Sequence, residues 1–550
     1  MRTNIFNNLT SAFLLLSLLF PVSCADQLDK SPTNQFDNAT FWTNETNALI
    51  GLTAVYRGGL SYDFQTAPTD WWSYAGLAFM ELATDNAYDR RGNSSTLNRL
   101  TDGTLLPNNN VLLSFWTGSY KKITVANDFL DHIELVPIDQ SKISRFKAEA
   151  RFLRACQYFY LSQHFGSVPL VTKILTSEEA NTVQKASKSE IESFVESEFK
   201  DAITDLPRYK DIPASEIGRV SKQAALAFLG RLYLAQKKYR EAADTYKQII
   251  DFGDNTIDPD YSGLFTPANE NSKENIFSMQ FIEVKAPNYL PQHAYPAIAG
   301  GWHFINPLED LAVNYDFIDG TPFSYDDTRF NLNNRAENRD PRFAYSFLWD
   351  GCTFGGKIYD CHPDHASSVD QLTVSKQATR TGYGLRKFFD ESFSGDLATG
   401  YGGNMPIIRY AEVLLSYLEA IMEAGDPISQ SLLDETINKV RGRTSVKMPS
   451  ITETNTDKLR PVLRKERRIE LAFEGIRLWD ILRWGIAGEV LKGDFWGAPF
   501  PDSTGSLNLP NGYTKDPYSR WWVTTKNFRT GQDELWPIPE TETNINPNLK

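Results

Sequence analysis

The stretch Ser221–Phe252 reads SKQAALAFLGRLYLAQKKYREAADTYKQIIDF. Within it Leu226, Leu229, Gly230, Tyr233, Ala242, Tyr246 and Ile249 run in the order large, large, small, aromatic, small, aromatic and apolar. Gly230 and Ala242 leave room for two antiparallel helices to approach closely, and Tyr233 and Tyr246 are sized to fill the groove between them. One such unit is compatible with any helical hairpin.

That order is the one a tetratricopeptide repeat requires. Helical periodicity also runs through Phe146–Leu161, Ile408–Ala424 and Leu463–Leu482, and further helices are expected near Thr46–Arg57, Val111–Ile133 and Ser144–His164. The prediction is a mainly α protein with a core of tetratricopeptide-like helix-pair repeats. Two segments break the pattern. Residues 58–110 are rich in Asp, Asn, Gly and Trp, while in residues 254–404 helical periodicity fades and Gly, Pro, Asn and aromatic residues rise. Loops this long inside a folded protein are usually functional, so the ligand surface is expected there. The chain thus divides into a signal peptide (1–23), a tether (24–45), an N-terminal helical part (46–253) and a loop-rich ligand-binding insertion (254–404). A C-terminal helical part (405–550) follows, whose Pro/Gly/Trp-rich end from Lys492 is expected to wrap the body.

The leader, MRTNIFNNLTSAFLLLSLLFPVS, carries one positive charge, Arg2, and an apolar run from Ala12 to Phe20. A run of about nine residues cannot span a ~30 Å hydrocarbon core as a helix, and its length and order are those of an export signal. Cys24 follows the small residues Val22-Ser23 and is placed for acylation. Pro21 stands where the usual lipoprotein signal has Leu, and Ser23-Cys24-Ala25 also suits an ordinary signal peptidase. With 41% apolar and 23% charged residues the chain has the balance of a folded soluble protein, and a formal net charge of −13 argues against nucleic acid as a partner. Four cysteines in 550 residues are too few for a disulfide scaffold. Cys156 falls in an apolar helical pattern and is expected to be buried, whereas Cys352 and Cys361 flank the loop CTFGGKIYDC as a candidate disulfide.

Arg464–Gly485, RKERRIELAFEGIRLWDILRWG, alternates charge at helical spacing: Arg467 and Glu470 are three apart, Glu474 and Arg477 likewise, and Asp480 and Arg483 continue the series. Ile469, Leu471, Phe473, Ile476, Leu478 and Trp479 leave no fully polar face, so these charges must be partly buried, paired and hydrogen-bonded. The segment resembles the C-terminal signature of the SusD/RagB family of Bacteroidetes outer-membrane nutrient-binding lipoproteins. Other blocks are similar in the family's order. They include Phe41-Trp42 with Ala54-Val55-Tyr56, Thr84-Asp85-Asn86-Ala87-Tyr88, Glu149-Ala150-Arg151-Phe152, Asn338-Arg339-Asp340-Pro341-Arg342, Arg409-Tyr410-Ala411-Glu412 and Trp536-Pro537-Ile538-Pro539. The resemblance implies a SusD-like superhelix carrying a loop-rich ligand-binding part and a lipid on Cys24 as the only membrane attachment. It also implies an outer-membrane location facing the cell surface, and a SusC-like TonB-dependent transporter barrel as partner. No catalysis or cofactor is implied.

Aromatic residues make up 13% of the chain, and exposed clusters of them suit sugar faces, whose C–H groups pack on rings while the hydroxyls bond to nearby polar groups. Trp71, Trp72 and Tyr74 are the candidate platform, with Asp70 as hydroxyl acceptor; the alternative is that the tryptophans fill the core. Asp85 and Asn86 are candidates either to line ligand or to stabilise their own loop. Tyr289, Tyr295, Trp302 and His303 lie in the Pro/Gly-rich loop that the family often closes over ligand. Glu466, Glu470 and Glu474 suggest a glycosidase, but a general acid needs a raised pKa and arginines on the same helix favour ionised carboxylates, so an ion network is expected. Cys361-His362-Pro363-Asp364-His365, with Cys352, has only weak metal-ligand spacing, and no metal is expected. The expected function is capture of an oligosaccharide for delivery to the barrel, with peptide as the rival ligand. An exported glycan hydrolase and a helical scaffold without ligand are the other classes.

Overall fold

A Cβ on Gly230 would stand 2.5 Å from the Tyr246 ring, so only a hydrogen there lets helices Lys222–Ala235 and Tyr239–Phe252 come together. Leu226, Leu229, Tyr233, Ala242 and Ile249 are all buried around that contact. The computed structural model describes residues 41–57, 71–505 and 507–550, with Tyr74 and Ala75 in backbone only. Its longer helices are α1 (Glu45–Arg57), α2 (Asn110–His132), α3 (Gln140–His164), α4 (Lys188–Asp205), α5 (Lys222–Ala235), α6 (Tyr239–Phe252), α7 (Tyr410–Glu423), α8 (Thr456–Glu470) and α9 (Arg477–Arg483). Each of α2 to α6 packs on the next, α6 packs on α7, and α7 packs on α8. The protein is mainly α, built of tetratricopeptide-like helix pairs around one large apolar core.

Short antiparallel strands tie distant loops to this body. They are β1 (Ala87–Asp89), β2 (Asn275–Met279), β3 (Ile305–Pro307), β4 (Phe347–Trp349), β5 (Tyr383–Leu385), β6 (Met405–Arg409), β7 (Lys492–Pro499) and β8 (Arg520–Asn527). Among the described residues every sheet has two strands; β1 pairs with β3, β2 with β6, β4 with β5, and β7 with β8. The C-terminal tail crosses α3, where Trp536 N–H donates to His164 O at 2.6 Å, and Asn546 Nδ2 reaches Val183 O at 2.8 Å. Among the described residues no helix is long and apolar enough to cross a membrane.

Two expected helices are corrected. Ile408 and Arg409 belong to β6, and the helix begins only at Tyr410. The Leu463–Leu482 periodicity is not one helix but α8 and α9, separated where Phe473 (φ 67°) and Gly475 (φ 76°) adopt left-handed backbone. At Gly475 a Cβ would also meet Leu77 O at 2.7 Å, so this turn lies hard against the segment that follows Trp72.

The break also changes how the charges pair. Arg467 Nε donates to Asp480 Oδ2 (2.6 Å) rather than to Glu470, and Arg477 binds Asp85 rather than Glu474. Arg483 does pair with Asp480 at 2.8 Å, as the spacing suggests. Glu470 Oε1 accepts from Arg443 (2.8 Å) and Arg409 (3.1 Å), and its Oε2 from Arg342 (2.9 Å). Burial would raise the Glu470 pKa, but Arg443, Arg409 and Arg342 outweigh it and hold the group at about 2. Glu466 lies between Arg342 and Arg441, and Glu474 between Arg409 and Lys387. All three carboxylates are spent on a buried ion network, and none is left as a general acid.

Candidate ligand-binding cleft

RWWVTTKN, the sequence of β8, is an aromatic and β-branched run of the kind that suits a pleated, half-buried surface. The strand pairs with β7 so that Trp522 faces Trp496, with register shifts on either side of Trp522. Such irregularities re-aim side chains away from a flat sheet. Asn508 clamps the preceding loop to the strand: Trp522 N–H donates to Asn508 O (2.9 Å), and Asn508 Nδ2 donates to Trp522 O (2.7 Å). Tyr513 rises from that loop, 52% exposed, with its ring edge-on to Trp496 at 6.2 Å.

Tyr88 of β1, Gly92, Asn93, Val374 and Arg380 line the cleft together with β8, Asp494 and the Asn508–Tyr513 loop. The open cleft has a volume of about 770 Å³, within the range of small-ligand sites. Four rings (Tyr88, Tyr513, Trp521 and Trp522) stand among the amides of Asn93, Asn508 and Asn511 and the hydroxyls of Thr524 and Thr525. Asp494, the one carboxylate in the lining, accepts from Thr525 Oγ1 at 2.5 Å. Glycoside hydrolysis needs two carboxyl groups across the bond, and among the described residues the lining has one. Beside the cleft, Arg90 N–H donates to Phe304 O (3.1 Å) and Arg380 Nε donates to Arg90 O (3.0 Å), which joins the Trp302–Phe304 strip to its edge.

Most of the residues expected from sequence are placed elsewhere. Cys24 and Asp70 lie outside the described residues, and Tyr74 opens the short helix Tyr74–Ala78. Trp71 and Trp72 are a correction: each is 2% exposed and neither forms a platform. Trp71 Nε1 donates to Ser119 Oγ at 2.8 Å, and its ring stacks on Phe115, Tyr160, His164 and Trp536. Trp72 Nε1 donates to Tyr160 Oη at 3.2 Å, with Lys122 Nζ 5.5 Å above its ring.

Of the two alternatives for Asp85 and Asn86, the contacts are those of loop anchoring. Arg477 grips Asp85 with two bonds (2.9 and 2.8 Å), and Arg468 Nε donates to Asn86 Oδ1 (2.7 Å). Burial would raise the Asp85 pKa, but Arg468 and Arg477 outweigh it and hold the carboxyl well below the usual range. Tyr295 is buried, with its hydroxyl on Asp390 O, and His303 is fully buried, pushed down to about 3 by burial and by Arg90. Tyr289 is half-buried against the core, and Trp302, 39% exposed, reaches the surface. Sequence reading missed β8, the Asn508–Tyr513 loop and Arg380. The adjacent Trp521-Trp522 pair in a β-branched run was the available signal.

Cys352 and Cys361 are free buried thiols, which corrects the candidate disulfide. Backbone bonds between Gly351 and Tyr359 and between Tyr359 and Cys352 set the loop's register. Cys352 therefore lies opposite Tyr359, and Cys361 is two residues further along. The Cys361 thiol donates to Gly382 O at 3.2 Å, and burial pushes Cys352 up to about 11. Alkylation of the denatured, unreduced chain is expected to modify Cys156, Cys352 and Cys361, as read by mass spectrometry. A linked Cys352–Cys361 peptide would contradict the assignment. His362 and His365 lie 4.6 Å apart, but among the described residues no group of three or more His, Cys, Asp or Glu could hold a metal ion.

The SusD family model matches residues 266–550, and a second model, described as starch-binding and associating with the outer membrane, matches residues 59–234. A crystal structure of a SusD-like carbohydrate binding protein from Bacteroides fragilis is similar at 47% identity and a TM-score of 0.89, covering 93% of this chain and 100% of that one. A laminarin binding SusD-like protein of solved structure is similar at 26% identity and a TM-score of 0.67, over 92% of this chain and 98% of its own. SusD-like protein P2 of Formosa agariphila is 24% identical over 561 residues, 98% of each chain.

Proposed function

Because the chain belongs to the SusD family, we propose that it captures a glycan in the cleft between β1 and β8 and delivers it to a SusC-like TonB-dependent barrel in the outer membrane. The observation that carries the reading is the cleft itself: rings for sugar faces, amides and hydroxyls for sugar hydroxyls, and no pair of carboxyl groups for hydrolysis. Relatives described as carbohydrate binding and laminarin binding support it. Trp302 extends the surface at the cleft's edge, and Cys24 carries the lipid that tethers the protein on the cell surface. Ligand is bound and released chemically unchanged.

Isothermal titration calorimetry against neutral and acidic oligosaccharides of plant, microbial and host origin, with peptide pools alongside, tests this. Saturable binding of at least one oligosaccharide, with no product on prolonged incubation, is expected. Binding of peptides and of no glycan would overturn it, and product formation would overturn the non-catalytic role.

A further inference from the structure

Among the described residues Arg380 is the one cationic side chain in the cleft lining, and none of their carboxylates pairs with it. Its Nε and Nη1 are held by carbonyls, Arg90 O at 3.0 Å and Thr373 O at 2.5 Å. These bonds aim the guanidinium, but they leave its charge unneutralised and its Nη2 without a partner among the described residues. The carbonyl that holds Nε belongs to Arg90, 9% exposed, whose own Nε is buried without a hydrogen-bond partner and whose guanidinium lies 4.8 Å from the Phe304 ring. Asp89, the adjacent carboxylate, is already taken by Arg91 and Ser95. Burial lowers the pKa of both Arg90 and Arg380; at Arg90 the Asp89 charge opposes this in part and the Arg380 charge adds to it.

Arg335 and Arg339 also have no ion pair among the described residues, but their setting differs. Arg335 lies against the Tyr383 and Phe500 rings, and Arg339 between Phe323 and Phe343, both in the protein interior. Arg380 instead opens on the cleft. A guanidinium held by carbonyls with an outward edge free has the geometry that receives a carboxylate or sulfate oxygen. With a net charge of −13 the chain offers a polyanion no long-range attraction, so any preference for an anion must come from contact at this point.

We propose that Arg380, backed by Arg90, receives an anionic group on the glycan, a uronate carboxylate or a sulfate ester, so that the cleft selects an acidic oligosaccharide. This rests on reading the cleft as the glycan site.

Calorimetry with oligogalacturonides and with sulfated galactan oligosaccharides, each beside its carboxyl-reduced or desulfated counterpart, tests the inference. At least one acidic form is expected to bind about tenfold or more tightly than its neutralised form, because charge-assisted bonds are the stronger ones. Which arm shows the difference identifies the group. Arg380→Gln, with its fold checked by thermal melting, is expected to bring the affinities for the acidic and the neutralised form to within about twofold of each other. Equal affinity for acidic and neutralised forms in the unmutated protein would overturn the inference and leave the glycan site standing. Equal weakening of both forms by Arg380→Gln would also overturn it. Should the variant fail to fold, the comparison in the unmutated protein decides. Binding of no glycan at all, acidic or neutral, would overturn the underlying reading as well.

Discussion

Glu470→Ala is expected to lower the free energy of unfolding by about 3–5 kcal/mol, the loss typical of breaking a buried ion pair from one side. The removed carboxylate takes one partner from each of Arg342, Arg409 and Arg443 in a region closed to water, leaving Glu466, Glu474, Glu274 and Asp340 to balance them. The cost is mostly the repulsion and desolvation of those arginines. Denaturant unfolding at pH 7 reads it as a lower midpoint. The acid limb gives a second readout with a definite sign. The pKa of Glu470 is held at about 2 in the folded chain, below its ordinary 4.5, so its stabilisation is complete above about pH 4.5 and is lost as pH falls towards 2. The alanine variant should therefore lose less stability over that interval than the unmutated protein does. An unchanged midpoint with an unchanged acid limb would show that the network contributes nothing.

Tyr513→Ala is expected to weaken oligosaccharide binding by about 30-fold, close to 2 kcal/mol, while leaving thermal stability nearly unchanged. The ring is 52% exposed and touches Trp496 only at its edge, so its removal costs the cleft a sugar-facing surface and the core almost nothing. Trp72→Ala should show the reverse: a loss of about 3–5 kcal/mol in stability from the cavity it leaves, with unchanged affinity in the fraction that stays folded. Calorimetry and melting on the two variants separate the cases. Full binding by Tyr513→Ala would remove the cleft as the site.

How much was legible followed from how local the signal was. The α5–α6 pair could be read because Gly230 and Tyr246 are 16 positions apart on consecutive helices, and their sizes alone state the fit. The division of α8 from α9 could not, since the apolar period runs on through Phe473, a residue that rarely adopts left-handed backbone. Charge pairing failed for a related reason: Glu470 meets Arg409 and Arg342 from positions 61 and 128 residues away, not its helical neighbours. Trp71 and Trp72 sit in a polar-looking stretch, yet their N–H groups find Ser119 and Tyr160 on α2 and α3.

By itself the sequence determined the helix-pair body, the family resemblance and the burial of charge around Arg464–Gly485, because each is written in residue spacing along a short stretch. Only the tertiary structure decided which aromatics face water, that Cys352 and Cys361 stay apart, and that Arg380 pairs with no carboxylate among the described residues. Those properties depend on what comes to lie opposite a side chain in the folded chain, which residue spacing along a short stretch does not state.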